Sequence, residues 1–296
     1  MTGNELQSII AYLKREKESG KPRSIGQLRE ELEKKARLLP CPENALSDPT
    51  DIEGIYAEWI SMPASRKDTM ILYLHGGYYS AGSCDTHRAL AARIAEAARA
   101  NVLLPEYRLA PEHPFPAALE DSLAVYNQLL SYTGKSATKI ILAGDSAGGG
   151  LALATVLLLH NTGAVLPDAV VSISPWTDLT NTGDSFKTKA DVDPMLSPGQ
   201  AEYCAGLYLG AETPENPLAS PLYGDLEGLP PLLIQVGSEE ILLDDSIRFA
   251  RKAKECGVTV QLDIWNNMFH VFQAFAGMLP EGQRAIKKIG EFIETV

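Results

Sequence analysis

The sequence predicts an α/β domain built on a largely parallel sheet with helices on both faces, and three observations carry that expectation. From residue 69 onward, short and continuously apolar runs recur as TMILYLH, NVLLP, KIILAG, AVVSIS, PLLIQVG and TVQLDIW. Runs this rich in β-branched residues are the texture of strands buried on both faces. Helical patterns near 87–99, 116–131, 147–160, 245–256 and 281–294 separate them, and strand–helix alternation of this kind favours parallel pairing. Finally, 296 residues with 45% apolar content suffice for one large core and a smaller appendage, not for two full domains.

The remaining elements follow in chain order. Between about Asn4 and Leu39 the pattern is helical and charged, with Leu6, Ile9, Ile10 and Leu13 at helix spacing and a break at Gly20-Lys21-Pro22. The proline-rich LPCPENALSDP reads as a connection, and IYAEWIS as an alternating strand. Between SPWTDLT and LPPLLIQV lie some fifty residues with a helical stretch near 198–209 and no strand pattern. An insertion of that length in a compact domain reads as a lid rather than a structureless loop. The expected organisation is therefore a helical cap from residues 1–45 and 183–223, over an α/β body from 46–182 and 224–296.

Charge and cysteine usage exclude several function classes. A net charge of −12 argues against nucleic acid and anionic membrane surfaces, both of which need clustered Lys and Arg. The first twenty residues lack the basic and apolar regions of a secretory signal, and no run of eighteen apolar residues occurs. Cys41, Cys84, Cys204 and Cys256 form no CxxC pair, so reduced thiols in the cytoplasm are expected. His75, His87, His113, His160 and His270 show no metal-ligand spacing. No metal or cofactor is expected.

Chemistry enters with KIILAGDSAGGGLALATVLLLH, a strand, a tight turn and a helix. Gly144, Ser146 and Gly148 form GxSxG, which seats a serine on a sharp strand-to-helix corner; glycines two residues either side let neighbouring backbone approach. The helix N-terminus then faces any negative charge developing at the serine. The alternative, a phosphate cradle, would want GxxxxGK[ST] or GxGxxG in its own context, and neither stands here. Upstream, His75-Gly76-Gly77 closes a strand. Consecutive glycines let a loop turn its N–H groups inward toward a tetrahedral oxyanion. Gly76 and Gly77 from this loop, with Ala147 beside the serine, are the expected donors.

The segments HGGYYSAGS, LPEYRLAPEHPFPAALED, GDSAGGG, ISPWTDL, DPMLSP and MFHVF, in this order, resemble the hormone-sensitive-lipase-like family of α/β-hydrolases, the GDSAG-bearing microbial carboxylesterases. The resemblance spans essentially residues 50 to 296. It implies an α/β-hydrolase fold with an eight-stranded, mostly parallel sheet and a helical cap, and hydrolysis of short acyl esters without a cofactor. Tyr78 stands where family members carry the last residue of HGGG or HGGA.

In this fold the triad runs serine, acid, histidine. His270, in the loop WNNMFHVF, is the expected base, and the acid then belongs in GSEEILLDD, residues 237–245. Asp244 and Asp245 precede a helical pattern and read as cap residues. Glu240-Ile241-Leu242 matches the family's acid position, thirty residues before His270, with Glu239 as runner-up. The expected triad is Ser146, Glu240 and His270, with Tyr78, Tyr79 and Trp176 as pocket walls. The expected partners are a small ester and water, with a homodimer left open. The rivals are a lactone or amide hydrolase of the same fold and a non-catalytic small-ligand receptor on this scaffold.

Overall fold

The structure is a computed structural model describing residues 2–17, 22–133 and 139–296. The break expected at Gly20-Lys21 lies outside the described residues. Eight strands form one sheet: β1 (Leu46–Ile52), β2 (Ile55–Ser61), β3 (Thr69–Leu74), β4 (Asn101–Pro105), β5 (Lys139–Asp145), β6 (Ala169–Ile173), β7 (Leu232–Gly237) and β8 (Val260–Trp265). Their order is β1-β2-β4-β3-β5-β6-β7-β8. The pairs β1–β2 and β2–β4 are antiparallel, and every pair from β4–β3 to β7–β8 is parallel.

Strand β1 departs from expectation, since its residues begin inside the stretch read as a connection. Pro49 is tolerated because β1 is an edge strand with only β2 beside it. The hairpin turns at Glu53-Gly54, both with positive φ (54° and 87°), the handedness that two-residue hairpin loops require. Pairing Ile52 with Ile55 fixes the register.

The period of two along each strand sorts side chains between two cores. Ile71, Tyr73, Ile141, Ala143 and Val171 face helices α3 (Cys84–Ala98) and α9 (Pro280–Thr295). Leu72, Leu74, Leu142 and Val170 face the other way, toward α4 (Ala117–Thr133), α5 (Ala147–Asn161) and α8 (Leu243–Glu255).

Among the described residues, four further α-helices lie outside this sandwich: α1 (Thr2–Lys17), α2 (Ile25–Ala36), α6 (Ser185–Thr188) and α7 (Pro198–Leu209). Leu13 of α1 packs with Met268, Phe269, Phe272 and Phe275, the aromatic loop after β8. From α2, Arg29 bonds the Ser80 and Ala110 carbonyls and Glu112, while the Ser83 hydroxyl donates to Glu33 at 2.8 Å. Lys17 reaches the carbonyls of Ala190 and Asp193 in the inserted segment. Both parts foreseen as a cap therefore converge on the loops that follow β3, β7 and β8.

Two glycine-to-alanine changes test this packing. At Gly290 a Cβ would lie 2.2 Å from the Ala97 carbonyl oxygen, where α9 crosses α3. At Gly206, in α7, nothing lies within 4 Å. Alanine gains about 1 kcal/mol of helix propensity at either site, but overpacking against backbone costs about 1–3 kcal/mol or more. Gly206→Ala should raise the urea midpoint and Gly290→Ala should lower it.

Candidate active site

Strand β5 ends at Asp145, and Ser146 turns the chain directly into α5 with φ 55° and ψ −123°. A non-glycine residue here is strained, and only the surrounding backbone holds it. Ser146 N–H donates to the Ile173 carbonyl (2.8 Å), and its own carbonyl accepts from Trp176 N–H (3.0 Å) and Gly150 N–H. A Cβ on Gly148 would sit 2.0 Å from the Leu74 carbonyl oxygen. The glycine is thus a steric requirement of the corner. Ser146 is 7% exposed, in a cleft that it shares with Gly76, Gly77, Tyr78, His87 and His270. The outer wall comes from Leu32, Ala36 and Leu39 at α2 and Met195 and Leu196 of the inserted segment.

The four carboxylates of GSEEILLDD have four different partners. Glu240 is fully buried; its Oε2 lies 2.6 Å from His270 Nδ1, and its Oε1 accepts from Gly237 N–H (2.7 Å) and the Ser174 hydroxyl (2.8 Å). Glu239 faces away, toward Lys189 at 3.2 Å. Asp244 accepts from Ser185 N–H (2.8 Å), and Asp245 from Thr177 and Asp178 N–H (2.7 and 2.9 Å). The cap role expected for Asp244 and Asp245 is therefore corrected, since α8 has no side-chain cap bond. Both carboxylates instead tie the helix start to the segment after β6. Burial pushes Asp245 up to about 8.

A proton on Nδ1, donated to Glu240, leaves the lone pair of the neutral His270 ring on Nε2. Burial pulls His270 down, but Glu240, followed by Asp193 and Asp145, pushes it up, and the net shift is upward from 6.5. Val271, next in the chain, is a β-branched residue with φ 49°, an outlier for its type. Its N–H donates to the Ser174 hydroxyl (3.3 Å). One serine thus holds both the acid and the histidine loop.

Backbone accounting separates the oxyanion donors. Gly76 N–H donates to Asp145 Oδ1 at 3.1 Å, so it is already paired; this corrects its expected role. The Gly76 carbonyl lies 2.9 Å from His75 Nδ1, which must be the donor because a carbonyl only accepts. Tyr107 hydroxyl donates to the His75 carbonyl (2.6 Å), and Ser80 and Ala81 N–H to the Gly77 carbonyl. Gly77 and Tyr78 N–H then have no acceptor among the described residues. Ala147 N–H, at the first turn of α5, has none either. Burial, and next His87, hold His75 down near 3, keeping it neutral.

Of the three residues expected as pocket walls, Tyr78 lines the cleft, and Tyr79 and Trp176 do not. Tyr79 stacks on Tyr208 with centroids 3.8 Å apart, and Trp176 meets Tyr78 edge-on at 6.0 Å. Both are buried behind the wall. Sequence reasoning missed Asp145, Ser174, His87 and Asp193. Asp145 directly precedes the serine, Asp193 lies in DPMLSP and Ser174 in ISPWTDL, so all three carried a positional signal; His87 carried none. Among the described residues no group of three or more ligating side chains is placed to hold a metal ion, and no helix is long and apolar enough to cross a membrane.

The chain is similar to known proteins over most of its length. A family model described as alpha/beta hydrolase fold matches residues 71–274, and the chain belongs to that family. An acetyl-hydrolase of Streptomyces hygroscopicus is 46% identical over 239 residues, covering 81% of this chain and 79% of that one. An esterase of the bacterial hormone-sensitive lipase family superposes with TM-score 0.94 at 45% identity, covering 99% of this chain and 98% of that one. The esterase EstE5, in a crystal soaked with p-nitrophenyl butyrate, gives 0.93 at 43% identity, covering 98% and 97%. Within its family the chain is a carboxylic ester hydrolase of the hormone-sensitive-lipase-like group.

The Tyr78 hydroxyl is buried with no partner among the described residues. Leaving a buried donor unmade costs about 1–3 kcal/mol, so Tyr78→Phe should raise the urea midpoint. A lowered midpoint would mean that the hydroxyl has a partner.

Proposed function

We propose that this protein hydrolyses short-chain acyl esters through an acyl-enzyme on Ser146, with His270 as general base and Glu240 as its orienting acid. The observation that carries the reading is the 2.6 Å contact between His270 Nδ1 and buried Glu240, in a cleft that His270 shares with Ser146. His270 Nε2 takes the Ser146 proton as Oγ attacks the ester carbonyl. Gly77, Tyr78 and Ala147 N–H groups receive the oxyanion, and the α5 N-terminus adds its positive end. The protonated His270 returns the proton to the departing alkoxide, so the alcohol leaves neutral. Water, deprotonated by the same base, then attacks the acyl carbonyl and releases the acid.

Short acyl chains are supported by the acetyl-hydrolase relative and the butyrate-soaked neighbour. The α1–α2 region with residues 183–223 acts as a cap, because Leu32, Ala36, Met195 and Leu196 wall the cleft. Net charge and unpaired thiols support a cytoplasmic setting.

Ser146→Ala should lower kcat on p-nitrophenyl butyrate by about 10⁶ while the urea midpoint changes little. A serine-directed organophosphate should add one mass increment on the peptide containing Ser146. Near wild-type turnover in a pure Ser146→Ala sample would defeat the assignment.

Glu240→Gln should cost about 10³–10⁴ in kcat, through the wrong tautomer and a lost negative charge; Glu239→Gln should cost a few-fold at most. The base works in its neutral form, so kcat/KM should fall as pH drops through a midpoint above 6.5. In Glu240→Gln the largest upward push on His270 is gone while burial remains, so that midpoint should move down. An unmoved midpoint would separate Glu240 from the base.

A further inference from the structure

Asp145 holds a fully buried charge that no step above uses directly. Its Oδ1 accepts from the Tyr73 hydroxyl (2.7 Å) and Gly76 N–H (3.1 Å). The partner of Oδ2 among the described residues is His87 Nε2, at 3.4 Å. His87 stands in the first turn of α3, where its Nδ1 lies 2.7 Å from the Thr86 hydroxyl oxygen. That hydroxyl is itself fixed by the α3 capping box with Ser83. The imidazole is therefore held at one nitrogen by the helix cap and directed by the other at the carboxylate.

We propose that His87 is a positioning residue for the oxyanion loop, acting through Asp145 on the Gly76 peptide. The inference rests on the assignment of Ser146 and its oxyanion donors given above. A buried carboxylate keeps its charge only when countercharge and hydrogen bonds offset the loss of water. His87 is the group opposite the free carboxylate oxygen. Burial alone pushes Asp145 toward its neutral form, and His87 is the strongest of the influences opposing it. Without His87 the carboxyl group takes up a proton or rotates, and Gly76 N–H loses a strong, fixed acceptor. Gly77 and Tyr78 N–H are the next two donors along the chain, so a tilt of the Gly76 peptide spoils their aim directly. Misplacements of about 1 Å in such sites cost on the order of 10² in rate.

The test separates aim from affinity. His87→Ala should lower kcat on p-nitrophenyl butyrate by about 10–100-fold with KM changed by no more than about twofold, as expected for an interaction made only in the transition state. Affinity for a short-chain trifluoromethyl ketone, whose hemiketal with Ser146 places an oxyanion in the same hole, should fall by the same factor. Competitive inhibition by butanol, which needs no oxyanion donor, should stay put. His87→Gln, with a neutral N–H to offer Asp145, should recover much of the loss and serves as the readout if the alanine variant folds poorly. His87 also lines the cleft, and a purely steric role there would raise KM and weaken butanol while sparing kcat. That outcome, or no change in kcat, overturns the proposal. Ser146→Ala, run beside it, must be inactive and blind to the ketone; if it is not, the underlying assignment fails rather than the role of His87.

Discussion

The Gly76 peptide is the constraint from which the site is built. Its N–H is held by a carboxylate from the end of β5 and its carbonyl by the imidazole one residue earlier. Each bond would be modest in isolation, about 0.5–1.5 kcal/mol, or about 1.5–3 where a charge takes part. Together they fix a plane. With that plane fixed, the two following N–H groups have no acceptor among the described residues and are the ones proposed to meet the charge that develops in an acyl transfer. Preorganised donors of this kind need no reorganisation when the reaction occurs. Asp145 belongs to the strand that delivers Ser146, so one residue pair couples the nucleophile's corner to the oxyanion loop.

A second chain of contacts reaches the acid turn from the inserted segment. Asp193 is buried, and its carboxylate accepts from Met195 and Leu196 N–H (2.8 and 2.9 Å) and from Ile241 N–H (2.9 Å). Met195 and Leu196 wall the cleft, while Ile241 follows Glu240. Burial pushes Asp193 up to about 6, so three N–H donors only partly offset its loss of water. The same turn receives Lys17 from α1 through the carbonyls of Ala190 and Asp193. Cleft wall and acid turn thus share one side chain.

Much of this was legible in the sequence, for identifiable reasons. Buried parallel strands are continuous apolar runs, so β3 to β8 stood out, whereas β1 did not: an edge strand carrying Pro49 has no such pattern. Ser146 was legible because its corner needs glycines at fixed offsets. His270 and Glu240 were legible through chain order once the family resemblance was on the page. What stayed hidden depends on pairing across space. That Gly76 N–H is consumed by Asp145 follows from β3 lying beside β5, and no local pattern encodes it. The burial of Tyr79 likewise depends on Tyr208, contributed by α7 from the insertion.

Gly77, Tyr78 and Ala147 N–H, and not Gly76, are the groups proposed to hold the oxyanion. A crystal structure of the trifluoromethyl ketone adduct on Ser146 tests that assignment most directly. The hemiketal oxygen should lie within about 2.7–3.1 Å of those three nitrogens, with Gly76 N–H still bonded to Asp145. An adduct oxygen bonded to Gly76 N–H, with Asp145 released, would contradict it.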